Sequence, residues 1–251
     1  MIDFYNFLSF NSYHILASIA MSIVIIANIR VKKMFNKYSK IECKKEISGL
    51  ESAKSVLRLN GVSGVDIIHI HGRFNDNFNP RFKRISLSDP VYSEHSISAV
   101  CIAAHEASHA VQYAQVYKVS NVSHGGFILY IIKIRQFLVP TATVFSRLAI
   151  PMVFVGVLLP TQFNFLINVG IIFFCVAILL QVINLPVEFD ASRRALASLK
   201  SMDSLNEEEL NGAKKILKAA AMTYIAALVA GVLNLFRLLI LHKSRINKNK
   251  R

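Results

Sequence analysis

Charge is scarce in this chain, and acid is scarcer than base. Of 251 residues only 18 % are Asp, Glu, Lys or Arg, against 53 % hydrophobic, and the mean hydropathy is positive. That balance argues against an ordinary soluble enzyme and for a membrane protein. The 15 acidic residues face 29 basic ones, for a net charge of +14. A basic excess can signal nucleic acid, but no RNP pattern, zinc knuckle or Arg-rich tract accompanies it, so no nucleic-acid partner is expected. Much of the basic charge instead flanks apolar segments, where it sets topology and touches membrane lipid. Cysteine is also sparse. Cys43, Cys101 and Cys175 are odd in number and far apart, which gives no disulfide framework and no Cys-x-x-Cys metal pair. No basic run precedes the first apolar stretch, so a cleaved signal peptide is not expected there.

What is abundant is long apolar sequence. Residues 4–29 carry no Lys or Arg and are followed by Arg30, Lys32, Lys33 and Lys37. This pattern fits an anchor over 1–29 with residue 30 onward in the cytoplasm. A second apolar segment runs over 137–159, interrupted by Pro140, Arg147 and Pro151, and a third over 166–185 has no charge. A fourth covers 219–241. Four full crossings would put the basic tail (Lys243, Arg245, Lys248, Lys250, Arg251) outside, against its charge. Either that tail is translocated or the fourth segment does not cross fully.

Between the apolar segments, residues 41–60 read as an amphipathic helix, with Ile47, Leu50, Val56 and Leu57 on the apolar side. Residues 65–71 read as a strand and 82–87 as its hairpin partner across a turn-rich link. The free edge of that strand could take an extended peptide as an added strand, or could only cover the next helix. A helix is expected from Ser93–Ser96 to about Gln115. Ser204-Leu205-Asn206-Glu207 reads as a capping box that opens another. The organisation is therefore an anchor (1–29), a domain with the motif helix and hairpin (30–136), and a transmembrane hairpin (137–185). A further helical region (186–218) and a last apolar helix with a basic tail (219–251) follow. The class is mainly α and integral to the cell membrane, multi-pass, with about three to four transmembrane helices and a small β-hairpin.

The chemistry is concentrated in His105-Glu106-Ala107-Ser108-His109. Positions i and i+4 share a helix face, so His105 and His109 can aim both imidazoles at one ion. Zn²⁺ takes neutral imidazole nitrogen and keeps a position open for water in catalytic sites. Glu106 follows the first ligand and can serve as general base. A bland alternative is a pair of satisfied core histidines. Glu188, just past the third apolar segment, is the best third ligand on sequence grounds; it could instead be an interfacial acid paired with Arg193 or Arg194. Cys101 lies one turn before His105 and is more readily a small apolar helix residue than a ligand. His69 and His71 share one strand face, as ligands or as surface residues.

Three stretches carry a resemblance. They are Ala104-His105-Glu106-Ala107-Ser108-His109-Ala110-Val111-Gln112, Leu185-Pro186-Val187-Glu188-Phe189-Asp190-Ala191-Ser192-Arg193-Arg194-Ala195 and Ala219-Ala220-Ala221-Met222-Thr223-Tyr224. Together with Asp76-Asn77-Phe78-Asn79-Pro80-Arg81 they resemble the neutral zinc metallopeptidases of the YugP-like membrane protease family, over about residues 40–240. The resemblance implies a zincin-like catalytic helix with His105, His109 and Glu188 on zinc. More distantly similar peptidases of the HtpX type carry an Asp four residues after that Glu. Here the position is Ser192, and Asp190 lies two residues on. The family's Asp-His-Tyr-Asp-Pro is Asp76-Asn77-Phe78-Asn79-Pro80, without the His.

The expectation is a membrane-bound zinc metalloendopeptidase, a hydrolase that cleaves a protein or peptide substrate with a zinc-activated water and Glu106 as general base. The active site is expected on the cytoplasmic side. Arg193, Arg194, His95 and Tyr224 are the candidates for the oxyanion partner. The alternative is a non-catalytic membrane protein with a structural or partner-binding zinc site.

Overall fold

A computed structural model describes residues 2–118 and 126–249. The chain is mainly helical, with one small sheet. Helix α1 covers Ile2–Tyr38, α2 Gly49–Leu59 and α4 Ile97–Lys118, with a single helical turn, α3, at Asp89–Tyr92. Helices α5 (Gly126–Leu158), α6 (Asn164–Ser201) and α7 (Glu207–Asn249) complete it. The strands are β1 (Asp66–Ile70), β2 (Asn77–Asn79) and β3 (Arg84–Ser88). The chain divides into two units, one of residues 1–28, 134–185 and 223–251, the other of 29–133 and 186–222.

Running through the first unit, three stretches of the described residues are long and apolar enough to cross a membrane: His14–Tyr38, Asn164–Ser201 and Glu207–Ile246. Each continues beyond this unit. Their apolar side chains point outward, as with Ile19, Ile26, Ile172 and Leu179. Outward apolar faces of that length suit lipid and not water, and the chain is consistent with membrane association. The apolar stretch Thr143–Leu158 is shorter. It belongs to α5, which starts at Gly126 and not near residue 137 as the sequence suggested, and which continues through Pro151. Small residues set the packing here. A Cβ on Gly170 would stand 2.6 Å from Val153 Cγ2 and 2.8 Å from the Ala149 carbonyl oxygen, so α5 and α6 touch at backbone distance. Phe145 stacks on Phe173 with ring centres 4.6 Å apart. Tail residues Lys250 and Arg251 lie outside the described residues.

The second unit holds the soluble-type core. Phe35, Val56, Ile85, Leu87, Val91 and Val100 are all buried in it, with Ala103, Ala104, Ala107 and Ala110 of α4. Helix α2 starts at a capping box: Ser48 Oγ accepts from Glu51 N, and the Glu51 carboxylate accepts from Ser48 N at 2.7 Å. Its buried face includes Ala53, Val56 and Leu57. Ser96 caps α4, its hydroxyl accepting from Ala99 N at 3.2 Å. Ser52 and Ser98 tie α4 in by donating to the Val100 and Phe35 carbonyls, both at 2.9 Å.

The sheet has the order β1-β3-β2. The hairpin is formed by β2 and β3, which pair antiparallel with Phe78 opposite Ile85. β1 joins the other side of β3 in parallel, with Ile70 opposite Ser88. The sequence suggested β1 and β3 as the hairpin. The link between them hides β2, which takes the antiparallel edge and leaves β1 the parallel one. Asp76 holds the start of β2 by accepting from Ser88 N at 2.7 Å.

Helix α6 runs unbroken through Pro186, although proline cannot donate to the residue four back. From sequence, Pro186 suits a kink or a fresh helical start; no new helix starts there. The cap of α7 sits two residues later than the Ser204–Glu207 pair: Asn206 Oδ1 accepts from Glu209 N, and Glu209 Oε2 from Asn206 N.

Gly49 is the tightest backbone approach in this core, since a Cβ there would lie 1.9 Å from the Val91 carbonyl oxygen. Gly49→Ala is expected to destabilise the protein by about 1–3 kcal/mol or more through overpacking. Thermal unfolding in detergent checks this; an unchanged midpoint would show that the loop before α4 yields freely.

Candidate metal centre

Helix α4 and the part of α6 after Pro186 supply the site. Around the motif α4 is built from small residues: Ala103, Ala104, Ala107, Ser108 and Ala110 are almost fully enclosed. Ser108 returns its hydroxyl to the Ala104 carbonyl at 2.8 Å, so it brings no unsatisfied donor inside. The two imidazoles and Glu106 are thus the main polar groups on an otherwise small, uncharged surface.

His105, His109 and Glu188 come together. One ligand atom from each lies within 4.8 Å of the others. His105 Nε2 and His109 Nε2 are each 3.4 Å from Glu188 Oε2. The imidazole rings are 4.8 Å apart and nearly perpendicular. Two donors on one tetrahedral zinc at about 2.0–2.2 Å stand roughly 3.3–3.6 Å apart, so these two separations fit one shared ion. They are too long for strong N–H···O hydrogen bonds. The donor set, two imidazoles and a carboxylate, is one used by catalytic zinc. Glu188 is only 5 % exposed, and a buried carboxylate is costly unless positive charge sits beside it.

The protonation of His109 follows from Gln112, whose side chain is buried. The Gln112 amide nitrogen donates to the Val187 carbonyl at 3.0 Å and to Asp190 Oδ2 at 2.9 Å, which fixes the orientation of the amide. Its oxygen then faces His109 Nδ1 at 3.0 Å. A carbonyl oxygen only accepts, so Nδ1 carries a proton toward Gln112 while Nε2 is the nitrogen that faces Glu188. Asp190 is held in turn by Arg193 at 2.6 Å and Arg194 at 2.5 Å. The chain Arg–Asp190–Gln112–His109 thus links α6 back to α4. Ser192, at the position of the absent Asp, has its hydroxyl 3.4 Å from His105 Nδ1.

Glu106 is half-buried, and burial of its carboxyl pushes it up to about 7; the Glu188 and Asp76 carboxylates act in the same direction, while His105 opposes them. A backbone hydrogen bond from Phe78, on β2, also holds it down. The carboxyl therefore lies between the helix face with the imidazoles and the edge strand β2. Phe78 packs against Tyr113 of α4 at 5.8 Å.

Other candidates fall elsewhere. Cys101 is buried with its thiol directed at the Ala213 carbonyl, 3.5 Å away. His69 and His71 meet Asp89 at the end of β1. Arg193 and Arg194 are occupied by Asp190, and His95 is exposed before α4. Gln112 had no assigned role in the sequence; its position three residues after His109, on the same helix face, was the available signal.

No solved structure matches the chain. A relative in Bacillus subtilis (strain 168), named "Putative membrane protease YugP", is 35 % identical over 230 residues, covering 92 % of this chain and 96 % of its own. The family described as "Putative neutral zinc metallopeptidase" matches residues 13–243, nearly the length of the chain, and the chain belongs to that family.

Proposed function

We propose that the chain is a membrane-bound zinc metalloendopeptidase whose ion is held by His105, His109 and Glu188. The observation that carries this reading is the pair of 3.4 Å separations from one buried carboxylate oxygen to two imidazole Nε2 atoms on a neighbouring helix. Zinc bound to these donors supplies Lewis acidity, polarising a peptide carbonyl and acidifying water beside it.

The rest is done by the chain. Glu106 takes a proton from the attacking water on its carboxylate and returns it to the leaving amine nitrogen. Its partly buried position, with the Phe78 amide beside it, keeps the carboxyl aimed at one place. Among the described residues β2 pairs with β3 alone, so its outer edge can take the substrate backbone as an added strand along α4. Gln112 fixes the tautomer and the ring angle of His109, and the enclosing alanines keep the site dry, where charge acts more strongly. The basic residues Arg30, Lys32, Lys33 and Lys37 support a cytoplasmic position for this unit.

Glu106→Gln keeps the shape and the three proposed ligands but removes the base. Peptidase activity is expected to fall about 10²–10⁴-fold with tightly held zinc unchanged. Wild-type cleavage by this variant would remove Glu106 from the mechanism. It also separates the enzyme from a structural zinc protein, in which the substitution changes nothing measurable.

Glu188→Ala is expected to lose the zinc that wild type retains through dialysis against a weak chelator, measured by elemental analysis. Gln112→Ala is expected to weaken zinc about 10–100-fold and to cost about 1–3 kcal/mol of stability. Zinc retention equal to wild type in Glu188→Ala would refute the ligand set. An unchanged affinity in Gln112→Ala would refute the orienting role.

A further inference from the structure

The parallel pairing of β1 with β3 brings together residues that an antiparallel hairpin would have separated. Its register ends with Ile70 opposite Ser88, so the next position on each strand sets His71 beside Asp89. His69 lies two residues back on the same strand face. The result is a second group of metal-ligating side chains, with one donor atom from each of His69, His71 and Asp89 within 4.8 Å of the others.

The carboxylate is fixed before any ion arrives. Gly72 N donates to Asp89 Oδ2 at 2.8 Å, and Asp89 N donates back to the Gly72 carbonyl at 3.2 Å. Gly72 has φ +108, which a residue with a Cβ rarely adopts, so this reciprocal lock depends on glycine. With Oδ2 engaged, Oδ1 faces the imidazoles: His69 Nε2 at 2.6 Å and His71 Nδ1 at 3.4 Å. The His69 ring is backed by Tyr92 at 5.0 Å and meets the His71 ring at 5.3 Å. His71 is the informative member. Its side chain is 95 % exposed, so it does not serve packing, yet it stands over the same oxygen that His69 uses.

We propose that His69, His71 and Asp89 form a second, solvent-facing site for a borderline divalent transition ion of the zinc class. Imidazole nitrogen selects such ions over Mg²⁺ and Ca²⁺, which prefer oxygen donors throughout. The ion displaces the His69–Asp89 hydrogen bond and takes Asp89 Oδ1 and the two ring nitrogens, with water in the remaining positions. An exposed site with three protein ligands exchanges its ion readily, unlike the enclosed set on α4 and α6. Occupancy clips the end of β1 to the start of α3. It does not require that the buried centre be catalytic, or that it hold metal.

The test is titration of untagged, metal-free full-length protein in detergent with Zn²⁺ alone, followed by calorimetry. Wild type is expected to bind a weaker equivalent that is absent from His71→Ala and from Asp89→Asn. The same weaker equivalent should persist in a His105→Ala/His109→Ala double variant. His71→Ala is expected to melt like wild type without metal, because its imidazole packs against little. Zn²⁺ should raise the wild-type midpoint further than that of His71→Ala, since a ligand that binds only the folded state stabilises it. A weaker equivalent retained in full by His71→Ala would overturn the proposal. So would its absence from wild type, which would leave His69 and Asp89 as a surface ion pair.

Discussion

A carboxylate buried between two imidazoles is the constraint on which the functional unit depends. Glu188 is 5 % exposed and 3.4 Å from both ring nitrogens, on a helix distant in sequence from the one carrying the histidines. Removing a carboxylate from water is costly unless positive charge replaces the lost solvation. A cation held between α4 and α6, as proposed, would supply that charge, and its binding energy would then contribute to folding of the unit. Asp190, buried two residues later, meets the same difficulty differently. It takes two guanidinium groups and the Gln112 amide, and needs no ion.

This difference explains the layout of α4. A helix carrying two imidazoles and a carboxylic acid into a protein interior must otherwise be bland, so its neighbours are Ala103, Ala104, Ala107, Ser108 and Ala110. Small side chains let α2, β3 and the later helices close on it. Gly49 repeats the logic on backbone scale, where even a methyl group would collide with the Val91 carbonyl. Gln112 then does two things with one amide. It ties α4 to the backbone at Val187, next to Glu188, and it accepts from Nδ1 of His109.

Much of this was legible in the sequence, for reasons of period and charge. His105 and His109 are one helical turn apart, so both can face one ion. Glu188 stood out as an acid just past a long uncharged run. The apolar segments announced themselves by length alone. The parallel pairing of β1 was hidden because β2 is three residues long and polar, with Asn77 and Asn79 on either side of Phe78. The start of α7 was misplaced because Ser204 and Asn206 both suit a cap, and only geometry shows that Glu209 answers Asn206. Pro186 suited a kink or a fresh helical start, and α6 passes through it without restarting. Asp76 near Glu106 and Asp89 beside His71 depend on strand register, which the hydrophobic pattern of so small a sheet does not specify.

The proposed two-helix zinc centre has a direct spectroscopic consequence. Zinc K-edge absorption on protein loaded with one tightly held equivalent is expected to show only nitrogen and oxygen neighbours at about 2.0–2.2 Å, with two imidazole scattering patterns and four-fold coordination. Glu188→Ala should lose that signal. A sulfur neighbour at about 2.3 Å, or an unaltered spectrum in Glu188→Ala, would contradict a centre built from His105, His109 and Glu188.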